Sequence, residues 1–238
     1  MRRCGTKGAA LALALSLCAG LAACGGETVE TKGFTEHDAE VYVDGLIKEN
    51  YLGQAEEDYL ELVNIHADDV ESLYDSALDM DVEYFLYMYD IDYPTDELRE
   101  EIKELYREIY SFTKYEVVSA AAQEDGSFSV KLNVYPIDTA QMVSEAMNDA
   151  TEKFYEKYPQ DQVNAMRDSE YEAMDKEWGR LILDLYQEAL KETGNMTERS
   201  ISVQVEQNSD GLYAINADDF SRLDALIIDY TNMATADT

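Results

Sequence analysis

The stretch FSVKLNVY, residues 128–135, places Phe128, Val130, Leu132 and Val134 at every second position with polar residues between them. Successive side chains of a strand point to opposite faces, so this spacing buries one face of a β-strand and leaves the other to water. A helical period would scatter the same four residues around the axis. The alternation recurs in RSISVQVEQ, with Ile201, Val203 and Val205 on one side. Each run has a partner across a turn. YEVVSAAA precedes the first, joined by QEDG with Gly126 at the bend, and GLYAIN follows the second after NSDG. Two β-hairpins are therefore predicted.

The rest of the chain is periodic at helical spacing. Thr35 and Asp38 form a capping-box pattern ahead of Ala39, Tyr42, Val43, Leu46 and Ile47, and Gly53 supplies a stop. Helical patterns continue over Ala55–Val63 and from about Asp69 to Tyr89, where Pro94 ends them. Thr95 caps a further helix through Leu98, Ile102, Leu105, Tyr106 and Ile109. Asp138 or Thr139 opens another, with Val143, Ala146, Met147, Ala150 and Phe154 as its stripe as far as Pro159. A long helix carries Met166, Met174, Trp178, Leu181, Ile182, Leu185, Tyr186 and Ala189 towards Gly194, and a last one covers Asp219 to Ile228. Runs of helices set apart from hairpins give the fold class: α+β, helix-rich, with an antiparallel sheet from two hairpins packed against several amphipathic helices.

The first residues obey another logic. Arg2, Arg3 and Lys7 precede GAALALALSLCAGLAA, an uncharged run of about 15 residues, shorter than the roughly 20 that a membrane-spanning helix needs. Small residues Ala22 and Ala23 then lead to Cys24, which is the layout of a secretory signal. Leu21, Ala22, Ala23 and Cys24 resemble the bacterial lipobox, the cleavage and lipidation signal of lipoproteins. The resemblance implies cleavage before Cys24 and a diacylglyceryl group on its thiol, with palmitate-type acyl chains holding the protein at the outer face of the cell membrane. The domain organisation expected is a signal peptide at 1–23, a lipidated Cys and polar tether at 24–33, and one acidic extracytoplasmic domain at 34–238.

Composition excludes several partners. Acids number 51 against 18 Lys and Arg, a formal charge of −33. Loss of Arg2, Arg3 and Lys7 with the leader leaves 15 cations and a charge of −36. Nucleic acid and anionic lipid surfaces are repelled by such a chain. The bland role of this acid is solubility, and the sharper one is attraction of cations or basic partners. All three cysteines, Cys4, Cys18 and Cys24, lie in or beside the leader, so the folded part has no disulfide, thiol catalyst or Cys-based metal site.

The order of elements behind the leader resembles the uncharacterised small lipoproteins of low-GC Gram-positive bacteria, some of which look like distant relatives of NTF2-like and cystatin-like folds. VYVDGLIKENYLG, FSVKLNVYPID and VQVEQNSDGLYAI carry the likeness. It implies fold and location and brings no activity with it.

Motifs for chemistry are scarce. His37 and His66 have neither HExxH nor paired spacing and are read as surface or capping residues. Gly-x-Ser-x-Gly and Walker patterns are absent, and no catalytic residue is assigned. Acid pairs are too abundant to single out. In DIDYPTDELREE, Asp90, Asp92, Asp96 and Glu101 fall at places 1, 3, 7 and 12 of a calcium-loop template, but Pro94 and Thr95 occupy places that need a ligand and a glycine. This leaves a weak calcium candidate and no metal site as such. Tyr87 and Tyr93 in VEYFLYMYDIDY could form an exposed aromatic platform, whereas Tyr84, Phe85 and Met88 share a helical face and read as core.

The expected function is a lipid-anchored, non-enzymatic binding or interaction module without a cofactor, with a protein, peptide or wall partner and no nucleic acid. An alternative is a small-molecule-binding protein or a hydrolytic or isomerase-type enzyme with an NTF2-like cavity, using a carboxylate of raised pKa as base. An importer-associated ligand-binding lipoprotein is the weaker alternative, because the strand–helix alternation of two-lobed binding proteins is missing.

Overall fold

A computed structural model describes residues 33–209 and 211–228. Leu21, Ala22, Ala23, Cys24 and the tether as far as residue 32 lie outside the described residues, as does the chain after Ile228.

Helix α1, Glu36–Ile47, begins at the capping box read from the sequence: the Thr35 side chain accepts from the Asp38 amide at 3.2 Å, and the Asp38 carboxylate accepts from the Thr35 amide at 2.8 Å. It then widens into a π-helical turn, Lys48–Leu52, which Gly53 closes at φ 60°. The local sequence gives no sign of this turn. Both Glu49 and Tyr51 on it are buried. Gly45 makes the approach possible, because a β-carbon there would lie 2.1 Å from the Tyr59 ring of α2, Glu57–Val63.

The chain continues through α3, Ala67–Met88, and α4, Asp96–Tyr110, with Thr95 capping α4 by accepting from the Leu98 amide at 3.1 Å. These two helices lie side by side and are joined by a ladder of ion pairs. Asp75, Asp79 and Glu83, four residues apart on α3, meet Arg107, Lys103 and Arg99, four residues apart on α4. The first hairpin is β1, Lys114–Ala122, and β2, Phe128–Tyr135, with a bulge near Val118. Helices α5, Thr139–Lys157, α6, Gln160–Asn164, and α7, Asp168–Leu190, follow, then β3, Arg199–Gln207, β4, Tyr213–Ile215, and α8, Ala217–Ile227.

The two hairpins join into one antiparallel sheet in the order β1-β2-β3-β4. The join is between β2 and β3, with Phe128 opposite Val205, Val130 opposite Val203 and Leu132 opposite Ile201. All six side chains are buried, so the alternation that defines each strand also sets the register between them. Helices α1 and α8 cover this apolar face. Along the β1 edge, the Ala120 amide donates to Glu40 at 2.9 Å and the Ala122 amide to Glu36 at 3.1 Å, both from α1.

The fold is therefore helix-rich α+β, as the sequence predicts. Some details differ. Ala146 of the α5 stripe is exposed, because α5 packs on α7 rather than on a wider core. Met166 precedes α7 instead of belonging to it. Helix α7 packs on α4 and α5. Trp178 packs on Phe154 at 4.9 Å between ring centres, and its indole N–H donates to the Tyr89 carbonyl at 2.8 Å.

Candidate functional site

The turn between α3 and α4 holds three of the sequence-derived candidates, Asp90, Asp92 and Tyr93. Asp90 adopts a left-handed conformation, φ 51°, that ends α3. The loop after it is fastened from below by α7: Asp175, 2% exposed, accepts from the amides of Asp92 at 3.1 Å and Tyr93 at 2.7 Å. Burial pushes the Asp175 carboxyl above its ordinary range, and the two amide bonds oppose this.

On this fixed loop Tyr93 is 43% exposed, and its ring meets Tyr171 of α7 edge-on at 6.0 Å. The Tyr171 hydroxyl donates to the Asp92 carboxylate at 3.1 Å, and burial with that hydrogen bond pushes the phenol up to about 12. Tyr87 is exposed on α3, yet the ring that meets Tyr93 is Tyr171, a residue the sequence reading did not select. The calcium-template residues divide. Asp92 faces Tyr171, while Glu101 makes a two-pronged pair with Arg180, both bonds 2.6 Å, which holds its carboxyl below the usual range. Asp96 lies in the first turn of α4. Among the described residues no three His, Cys, Asp or Glu side chains form a metal-binding group. His37 is exposed beside Glu40, and His66 sits at the start of α3, its amide donating to Asp69 at 3.3 Å.

A second cluster lies where the π-helical turn, α3, α4 and α8 meet. Tyr51 donates to Asp224 at 2.7 Å and Tyr110 to Asp81 at 2.9 Å, and the two rings meet edge-on at 5.1 Å. Burial, and then the negative charge of Asp224, pushes Asp81 up to about 7. Asp224 is raised by burial as well. Nearby, Tyr59 donates to the buried Glu49 at 2.6 Å, and burial again raises the acid. The local sequence shows none of this, because the partners come from four separate segments.

A surface depression beside the π-helical turn is lined by Lys48, Gln54, Glu56, Val70 and Glu71. The Lys48 ammonium in it is engaged by Asp44 at 2.8 Å and by Glu56.

No family model matches the chain, and no curated protein matches it. Among solved structures, the crystal structure of YcdA from Bacillus subtilis, which carries a provisional lipoprotein assignment, is similar in fold at a TM-score of 0.50 and 12% identity. The likeness covers 78% of this chain but 54% of that one, so this chain spans about half of its length.

Proposed function

We propose that this chain is a lipid-anchored, extracytoplasmic binding module, held at the outer face of the cell membrane through diacylglyceryl-Cys24 and acting on a protein or peptide partner without catalysis. The observation that carries the binding role is the α3–α4 corner. Exposed Tyr93, on a loop fastened by buried Asp175, meets the half-buried ring of Tyr171 from α7, and together they offer rigid aromatic contact area that costs little conformational entropy to bury. The anchor rests on Leu21–Cys24, and the fold-level likeness to YcdA agrees with it. Two measurements test the reading. Cys24→Ala should move the protein from the membrane fraction to the soluble fraction, and retention would remove the anchor. A photoreactive side chain at position 93 should cross-link a partner on intact cells, and a position 124 control in the β1–β2 turn should not; equal yields would remove the corner as the binding face.

A second reading keeps the enzyme alternative, because Asp81, raised to about 7, has the protonation behaviour of a general base. It requires substrate access to Asp81. Asp81→Asn abolishing a hydrolytic or isomerase activity of the purified protein would favour it over the binding module.

A further inference from the structure

The tyrosines of this surface follow a pattern. Tyr158 donates its hydroxyl to Glu177 at 2.7 Å while the Lys157 ammonium lies 5.1 Å over its ring and pairs with the same carboxylate. Tyr135 donates to Glu198 at 2.9 Å with the Lys114 ammonium 4.3 Å over its ring. Tyr115 donates to Asp44 at 2.8 Å, and Lys48 pairs with that Asp. In each case a phenol, a carboxylate and an ammonium stand together. The arrangement has a physical reason: the ring face and the carboxylate both attract a cation, and the phenol hydrogen bond fixes the acid beside the ring.

The Tyr171–Asp92 pair repeats the first two members. Its hydroxyl-to-carboxylate bond is 3.1 Å, and Tyr93 adds a second ring at 6.0 Å. The third member is missing: among the described residues no Lys or Arg pairs with Asp92 or lies over either ring. Underneath, Asp175 adds a second carboxylate, served by two backbone amides and by no cation among the described residues. The nearest arginines along α7 are engaged elsewhere, Arg167 with Glu170 and Arg180 with Glu101.

We infer that the corner formed by Tyr93, Tyr171 and Asp92 receives a lysine or arginine side chain from a basic segment of a partner polypeptide, which supplies the cation that the chain provides for its other surface tyrosine–carboxylate pairs. The inference rests on the binding-module reading and names its partner class. Charge complementarity favours such a partner twice, through the local carboxylates and through an overall charge of −33 that draws basic chains to the surface.

The test uses a fluorescein-labelled, unstructured peptide with three lysines, titrated by anisotropy against the full chain at fixed ionic strength. Tyr93→Ala alters no charge, and Asp92→Asn removes one. Glu124→Gln removes one charge from an exposed position in the β1–β2 turn. Tyr93→Ala and Asp92→Asn should each weaken binding about five- to tenfold, and Glu124→Gln less than about twofold. Unchanged melting curves for the two corner variants establish that the loss is local. Equal binding by all four proteins would overturn the cation site, as would equal weakening by Asp92→Asn and Glu124→Gln with none from Tyr93→Ala, since attraction would then be diffuse. Absence of binding by the unaltered chain would overturn it too. Cross-linking from position 93 reads the binding-module proposal separately in all of these cases.

Discussion

Along the outer seam of α3, Asp75, Asp79 and Glu83 face the cations of α4, while Asp81 on the same helix turns inward and meets the hydroxyl of Tyr110. The two regions use one residue type under opposite conditions. At the seam the acids are well exposed and each has a Lys or Arg, so ionisation costs little and each pair contributes little. In the interior the donor is a neutral phenol. It can hydrogen-bond a carboxylate but cannot cancel its charge, so burial prevails and the acid holds its proton longer. A chain with 51 acids and 18 cations cannot give each acid a cation, and its 18 tyrosines supply many of the remaining donors.

The largest effect should come from breaking the interior pair. Tyr110→Phe leaves Asp81 without its hydroxyl, which should cost about 2–3 kcal/mol at pH 8, where the acid is ionised, and about half that at pH 5. Denaturant unfolding at the two pH values measures the difference. A cost independent of pH would mean that Asp81 is already neutral at pH 8.

Next in size is Asp81→Asn, with the opposite sign. A folded-state pKa near 7 against about 3.8 unfolded means that the native state binds the extra proton between these values. Stability is thus fully present below about pH 3.8 and falls as pH rises through 7. The Asn variant should be more stable than the parent by about 1–2 kcal/mol at pH 8 and should flatten the slope between pH 4 and 7, read from melting temperatures across that range.

Breaking the seam should do less. Lys103→Gln removes the central cation of the ladder, paired with Asp79 at 2.8 Å, and should cost about 1 kcal/mol at low salt and less at 0.5 M salt. Smallest is Glu101→Gln opposite Arg180. The lowered pKa of Glu101 makes its contribution present above the unfolded value of about 4.5 and lost as pH falls through the folded one. The cost should be about 0.5 kcal/mol at pH 7 and should shrink as pH falls below about 4.5.

What the sequence made legible follows the range of each interaction. The Thr35–Asp38 box and the Thr95 cap involve residues three apart, and strand alternation is local by nature, so both were readable and both hold. The pairing of β2 with β3 joins distant segments and was not readable, but once it forms its register is set, because a slip by one residue would turn Leu132 and Ile201 to water. The candidate site is different. Tyr87 and Tyr93 are near in sequence, but the partner of Tyr93 is Tyr171, and the acid that fastens its loop, Asp175, is 83 residues from Asp92. The interior acids were hidden for the same reason, with 173 residues between Tyr51 and Asp224, and among so many carboxylates none stands out until the packing selects it.

The two glutamates that occupy the Ala120 and Ala122 amides belong to the first two turns of α1. An uncovered strand edge is a template on which a neighbouring copy can extend the sheet, and copies anchored as proposed above would meet often. Glu36 and Glu40 deny that template its donors. The cover is also the part of the domain on which a pull from the amino-terminal side would act first. Unwinding the first turn of α1 would free the Ala122 amide from Glu36 and draw the fully buried Ala39 out with it, so the cover of this edge and the core give way together through a single helix end.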